Sequence, residues 1–217
     1  MVRHPANFPG DDYIITAHTQ TDRAETLLYN LIRGAGADGL CALDWRRRLT
    51  SDISLIRPLL EVNRSATGEF CQEYNLPVWE DAYNSDRKYA RVRLRNEIIP
   101  QLVADFNPQV ESHLARTAEL LRADVEYLEF LAEDLYLQAI VGEGKDAKLD
   151  RLVLQSLPLA LQRRIIRRFL TIVLSNMPTY NQIEAAILLI DAPNRSRTST
   201  LSHGLTAEVS SKWIVVR

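Results

Sequence analysis

The sequence predicts an α/β domain with parallel strands, followed by a mainly α-helical domain that ends in a β hairpin. Three observations carry that expectation. Tyr13-Ile-Ile-Thr-Ala17 is a β-branched apolar run of the kind buried in a parallel sheet, and from Asp22 the pattern turns helical through Leu27, Leu28, Leu31 and Ile32. Val110, Leu114, Leu121, Val125, Leu128 and Leu135 form an apolar stripe at helical spacing, which predicts one long helix to about Ile140. Thr198–Leu201, Gly204–Val209 and Lys212–Val216 read as short strands joined by turns.

Between these landmarks, Gly34-Ala-Gly36-Ala-Asp-Gly39 stops the first helix, and Ile53–Ile56, ending at Arg57-Pro58, is the next strand. Two strands are too few for an α/β sheet, so the opening reads as the middle of a domain, with an exposed sheet edge and a tendency to self-associate. A helix from Arg64 to Tyr74 closes at Asn75-Leu-Pro77, and Trp79–Asp86 is a polar link. Tyr89–Val103 is helical, with Pro100 kinking or ending it, and Asn107-Pro108 restarts a helix. Gly142–Asp146 is a solvated loop, Pro158 opens a helix, and a last helix runs from about Asn181 to Ile190. The domain boundary is placed between residues 104 and 105.

Composition bounds the chemistry. The 217 residues are 46% hydrophobic and 25% charged, which describes an ordinary globular chain and not a disordered one. No apolar run reaches the roughly 18 residues of a membrane span, and Met1-Val-Arg-His-Pro lacks the apolar core of a secretion signal, so a cytoplasmic protein with no membrane partner is expected. Cys41 and Cys71 lack metal-ligand spacing and are expected as reduced thiols. A net charge of −2 excludes a polycation, yet of 26 basic residues only Lys88, Lys145, Lys148 and Lys212 are lysine. Arginine is the residue that grips phosphate with two parallel donors.

The stretch Thr16–Gly36 sets His18 at the carboxyl end of a strand, where open α/β sheets bind ligands, with Asp22 and Glu25 in the first turn of the next helix. Two readings of the carboxylates stay open: a pair holding Mg2+ or a ligand amine, or a capping box with Asp in place of Ser or Thr that needs no ligand. Arg87, Arg91 and Arg95 recur at four-residue steps, and Arg163, Arg164, Arg167 and Arg168 share a helix face. Each group is either a phosphate-binding face or a salt-bridged surface.

Ala17-His18-Thr19 through Asp22-Arg-Ala-Glu25-Thr26, followed by Arg33-Gly-Ala-Gly36, resembles the Ala-His-His-x-x-Asp-Gln-x-Glu-Thr and Arg-Gly-Ser-Gly signature of the tRNA(Ile)-lysidine synthases, members of the PP-loop ATP pyrophosphatase superfamily. Thr19, Arg23 and Ala35 depart from the commoner His, Gln and Ser. Arg57-Pro-Leu-Leu60 matches a second motif, and Trp79-Glu-Asp-Ala-Tyr-Asn84 with Tyr89-Ala-Arg91-Val-Arg-Leu-Arg95 and Ile98-Ile-Pro100-Gln-Leu102 a third, in which Val92 replaces Asn and Tyr83 replaces Ser. The resemblance implies a partial Rossmann-like PP-loop domain over residues 1–104 and a long helix with a small tRNA-binding domain over 105–217. It implies a ligase that uses ATP and Mg2+ to adenylate the wobble cytidine of isoleucine tRNA with a CAU anticodon, then lets free lysine displace AMP.

Carried onto this chain, the resemblance gives His18, Asp22 and Glu25 as catalytic, Asp22 and Glu25 as a Mg2+ pair, and Arg33, Gly34 and Gly36 as cofactor-binding. Arg57, Arg91, Arg95, Arg163, Arg164 and Arg167 are the tRNA contacts. The family's Ser-Gly-Gly-x-Asp-Ser phosphate loop has no counterpart, since the sequence contains no Gly-Gly pair. A separate N-terminal segment carrying that loop is therefore an expected partner. The alternatives are a non-catalytic tRNA- or RNA-binding module and a helical interaction protein without an RNA role.

Overall fold

A computed structural model describes residues 12–79 and 86–217, so the motif positions 80–85 lie outside the described residues. The chain folds as two compact units, Met1–Val125 and Glu126–Arg217, and the division falls inside a long helix.

In the first unit, β1 (Asp12–Ile15) pairs in parallel with β3 (Ile53–Ile56), in register Asp12 with Ile53 through Ile15 with Ile56. The parallel pair requires a crossover, which is α1 (Gln20–Ile32) followed by a short α2 (Ala37–Leu40). A third strand, β2 (Arg46–Arg48), runs antiparallel to β3 and gives the order β1-β3-β2. Three consecutive arginines carry no apolar alternation, which is why the strand is invisible to periodicity. β1 is exposed along its whole length, Ile15 at 68%.

α3 (Arg64–Glu73) starts where Asn63 Oδ1 accepts the Ala66 N–H at 2.8 Å. The next helical stretch contains Pro100 but does not end there. α4 (Ala90–Arg93) passes through a π turn, Leu94–Ile98, into α5 (Ile99–Asp105), whose first turn holds the proline. A proline ring clashes with the turn preceding it and donates no N–H, and a widened turn accommodates both defects. α6 (Val110–Ala139) follows. Within the first unit its amino-terminal half is held by side chains: Thr21 donates to Glu111 at 2.7 Å, Arg23 pairs with Glu119 at 3.1 Å, and Arg122 pairs with Asp44 and donates to the Leu43 carbonyl at 2.9 Å.

The second unit is built on an antiparallel sheet of β4 (Ile140–Val141), β5 (Lys148–Asp150), β6 (Ala207–Ser210) and β7 (Trp213–Val216), in the order β4-β5-β7-β6. The expected terminal hairpin is thus half of a larger sheet. No strand forms at Thr198–Leu201. Arg195 and Thr198 N–H groups donate to Val209 and Ala207 instead, and the left-handed Arg195, at φ 71°, breaks any regular ladder. Between β5 and β6 lie α7 (Arg151–Gln155), α8 (Leu159–Leu174) and α9 (Tyr180–Ile187). Ile165, Phe169, Leu170 and Val173 of α8 meet Leu149, Val209 and Ile214 in a continuous apolar core. Among the described residues, no helix is long and apolar enough to cross a membrane.

Candidate functional site

The loop after β1 and the first turn of α1 set the site. Thr19 is the N-cap, and Asp22 stands at the third helical position. Asp22 Oδ2 accepts both the Thr19 N–H and the Thr19 hydroxyl at 2.8 Å, so the capping box is Thr19 with Asp22. This corrects the expectation that Asp22 caps the helix with Glu25 as its partner. A threonine one turn earlier is the better cap, and it releases Glu25 for another contact.

That contact comes from 70 residues away. Arg95, on the π turn, donates through Nε to Glu25 Oε1 at 2.5 Å and through Nη2 to Glu25 Oε2 at 2.9 Å. The same Nη2 reaches Asp22 Oδ1 at 3.0 Å. Glu25 is 1% exposed. Burial raises its carboxyl above the ordinary value against the pull of Arg95, and the bond that Arg95 donates to Glu25 in turn raises the guanidinium. The arrangement is an arginine fork across two carboxylates.

The two carboxylates expected as a Mg2+ pair both accept from Arg95 in this structure, and Asp22 also accepts from Thr19. Among the described residues, no group of three or more His, Cys, Asp and Glu side chains could hold a metal ion.

His18 lies beside the fork. Its Nδ1 stands 2.8 Å from Thr16 Oγ1 and 3.3 Å from Arg57 Nε. Arg57 is 6% exposed and donates through Nη1 to the Asp44 carbonyl at 2.7 Å. Burial lowers the His18 pKa, as do Arg57 and Arg91, while Asp22 opposes them. A cleft of about 630 Å³ opens over these groups, lined by Thr16, His18, Asp22, Arg64, Cys71 and Arg95 among others. Arg64 and Cys71 were not anticipated. The one available signal for Arg64 is its place next to the Asn63 cap, which sets it at the first turn of α3.

Several expected site residues lie elsewhere. Arg57 turns inward, donating through Nε toward His18 and through Nη1 to the Asp44 carbonyl, and is 6% exposed. Arg33 and Arg91 stand over the Tyr29 ring at 5.3 and 6.0 Å. Gly34 takes φ 73° after α1, a left-handed turn that glycine adopts freely, and Gly36 caps α2; neither lines the cleft. Arg87 precedes α4 and pairs with Glu97 at 2.9 Å, so it does not extend the face of Arg91 and Arg95. On α8, Arg163 pairs with Glu184 at 2.7 Å, Arg164 and Arg167 with Glu129 at 3.1 and 2.7 Å, and Arg168 with Glu133. That face is a ladder of ion pairs.

Comparison with known proteins identifies the domains that hold these residues. Residues 2–102 match the PP-loop domain, so the first unit carries a domain of the ATP-binding PP-loop class. Residues 149–204 match the TilS substrate binding domain. The chain is 52% identical to a tRNA(Ile)-lysidine synthase of Nostoc sp. over 94% of its own length, and 50% identical to the Synechocystis sp. enzyme of that name over 90%. A chloroplastic relative of the same name in Pyropia yezoensis is 39% identical over 82% of the chain. The chain belongs to the tRNA(Ile)-lysidine synthase family. It spans 64%, 59% and 54% of these three relatives.

Proposed function

We propose that this chain contributes the substrate half of an ATP-dependent carbon–nitrogen ligase that joins lysine to the wobble cytidine of isoleucine tRNA. Residues 1–104 act as the catalytic part and residues 105–217 as the tRNA-binding part. The observation that carries the reading is the cleft in which His18, Asp22 and Arg95, three positions of the family motif, come together. The Arg95 fork presents Asp22 as a fixed carboxylate at the cleft wall, suited to the amine of free lysine. Arg64 adds a cation for a phosphate or carboxylate. Such fixed partners supply orientation, the larger part of what a ligase needs once activation has made a leaving group.

ATP supplies that activation in the complete reaction, and the phosphate-cradling loop comes from a segment outside the residues described. The absence of any Gly-Gly pair supports this. Mg2+ enters with the nucleotide, and no role here depends on it. The reaction is cytoplasmic, where tRNA, ATP and lysine meet.

The test is incorporation of labelled lysine into an isoleucine tRNA transcript with ATP. The chain is assayed alone and then with a family N-terminal segment that carries the Ser-Gly-Gly-x-Asp-Ser loop. Lysidine formed only in the mixture supports the reading. Salt-dependent tRNA binding with no lysidine in both favours a non-catalytic RNA-binding module, for which the arginine bias of the sequence speaks.

A further inference from the structure

We propose that His18 works in this cleft as a neutral hydrogen-bond donor through Nε2, held in that tautomer by Arg57 and Thr16 as positioning residues, a role that rests on reading the cleft as the lysidine-forming site. An arginine Nε–H donates and never accepts. Arg57 Nε lies 3.3 Å from His18 Nδ1, so Nδ1 is the acceptor, and the Thr16 hydroxyl at 2.8 Å donates to the same nitrogen. A neutral imidazole that accepts at Nδ1 carries its proton on Nε2.

Protonating Nδ1 would set one N–H against another and place an imidazolium beside a guanidinium. Arg57 has little freedom to retreat, since it is buried and tied to the Asp44 carbonyl at 2.7 Å. The charged groups that face His18 are Asp22, Arg57 and Arg91, and burial with the two arginines outweighs the one carboxylate. His18 is consequently a poor base for the proton of an attacking amine. It is a good donor to a ligand oxygen that gains negative charge, because a fixed neutral N–H stabilises that charge without prior reorganisation.

The first readout is independent of activity: nitrogen spectra of the chain labelled with 15N-histidine, the His18 signals assigned by their loss in His18→Gln. A single Nε2–H tautomer is expected, with protonation only below the ordinary value of 6.5. Arg57→Gln should mix the tautomers and raise the midpoint. Because Arg57 is buried and its variant can fail to fold, Thr16→Val tests the same restraint. An Nδ1–H tautomer, a midpoint at or above 6.5, or indifference to both substitutions overturns the proposal.

The second readout is lysine incorporation. His18→Ala should lose about 100-fold. His18→Gln, whose amide nitrogen falls near the Nε2 position, should recover at least about tenfold of that loss, since one placed donor is worth about that much or more. Equal losses in both variants overturn the donor role. If the unsubstituted chain mixed with the loop-bearing N-terminal segment forms no lysidine, the ligase reading fails, while the nitrogen spectra still decide the tautomer.

Discussion

The two units solve the problem of stability in opposite ways. The second, Glu126–Arg217, is centred on an apolar core in which Leu149, Leu154, Ile165, Phe169, Val209 and Ile214 are all at or below 1% exposure. The four arginines of α8 pair with Glu129, Glu133 and Glu184, and Arg151 donates to the Ile190 and Ala192 carbonyls. The first unit buries Arg23, Glu25 and Arg57 together with Thr19, Thr21, Thr26 and Ser54, while its strand β1 leaves Ile14 and Ile15 exposed. Arg23 even keeps Nε and Nη2 buried without a partner. Buried charge is a poor way to gain stability, because desolvation offsets most of the attraction. It is a good way to fix polar groups at a wall, and the unit that accepts the cost is the one that holds the cleft.

The contrast can be broken first at its strongest point. Phe169→Ala should cost about 4 kcal/mol, the usual loss for an aromatic deleted from a packed core, and urea denaturation with hydrogen exchange should show the loss in the second unit. Full retention of its midpoint would mean that the apolar core is not what holds it. Glu25→Gln should cost about 3 kcal/mol in the first unit by removing the more buried of the two carboxylates paired with Arg95 and leaving it Asp22 alone. A neutral outcome would show that the fork is dispensable to folding. In the second unit, Glu129→Gln removes the partner of Arg164 and Arg167 and should cost only about 1 kcal/mol, shrinking further in high salt, because the Glu129 side chain is 40% exposed. Ile15→Ser on the exposed β1 should change stability by less than about 0.5 kcal/mol while raising solubility, as gel filtration would report.

A pH profile sharpens the same comparison. The His18 pKa is lowered in the fold, so between 6.5 and its folded value the unfolded chain binds more protons, and stability falls as pH drops through that window. Glu25, raised by burial, acts oppositely: above 4.5 the folded carboxyl holds its proton longer, and stability falls as pH rises to its folded value. Both slopes belong to the first unit. Titrating denaturation midpoints with His18→Asn and Glu25→Gln should remove one slope each.

What the sequence disclosed follows the range of the interaction. β3 and α3 were legible because strand chemistry and the Asn75 stop are local. The site motif was legible from His18 to Glu25 for the same reason. The cap was misplaced by three residues because Thr19, which differs from the family's commoner histidine, was read as a departure and not as a capping side chain. The inward turn of Arg57 and the paired state of Arg163, Arg164 and Arg167 depend on partners 13 to 39 residues away. Helical spacing places these arginines on a face but does not say what that face meets.

The π turn beneath Arg95 has a consequence of phase. One surplus residue in a turn rotates everything beyond it about the helix axis, so the azimuth of Arg95 is set by where the widening falls, and the widening is anchored by a proline five positions downstream. Replacing Pro100 with alanine would let the helix rewind to its ordinary pitch. A residue that touches neither carboxylate would then swing the guanidinium out of their line, as a worn thread on a screw throws its head out of alignment.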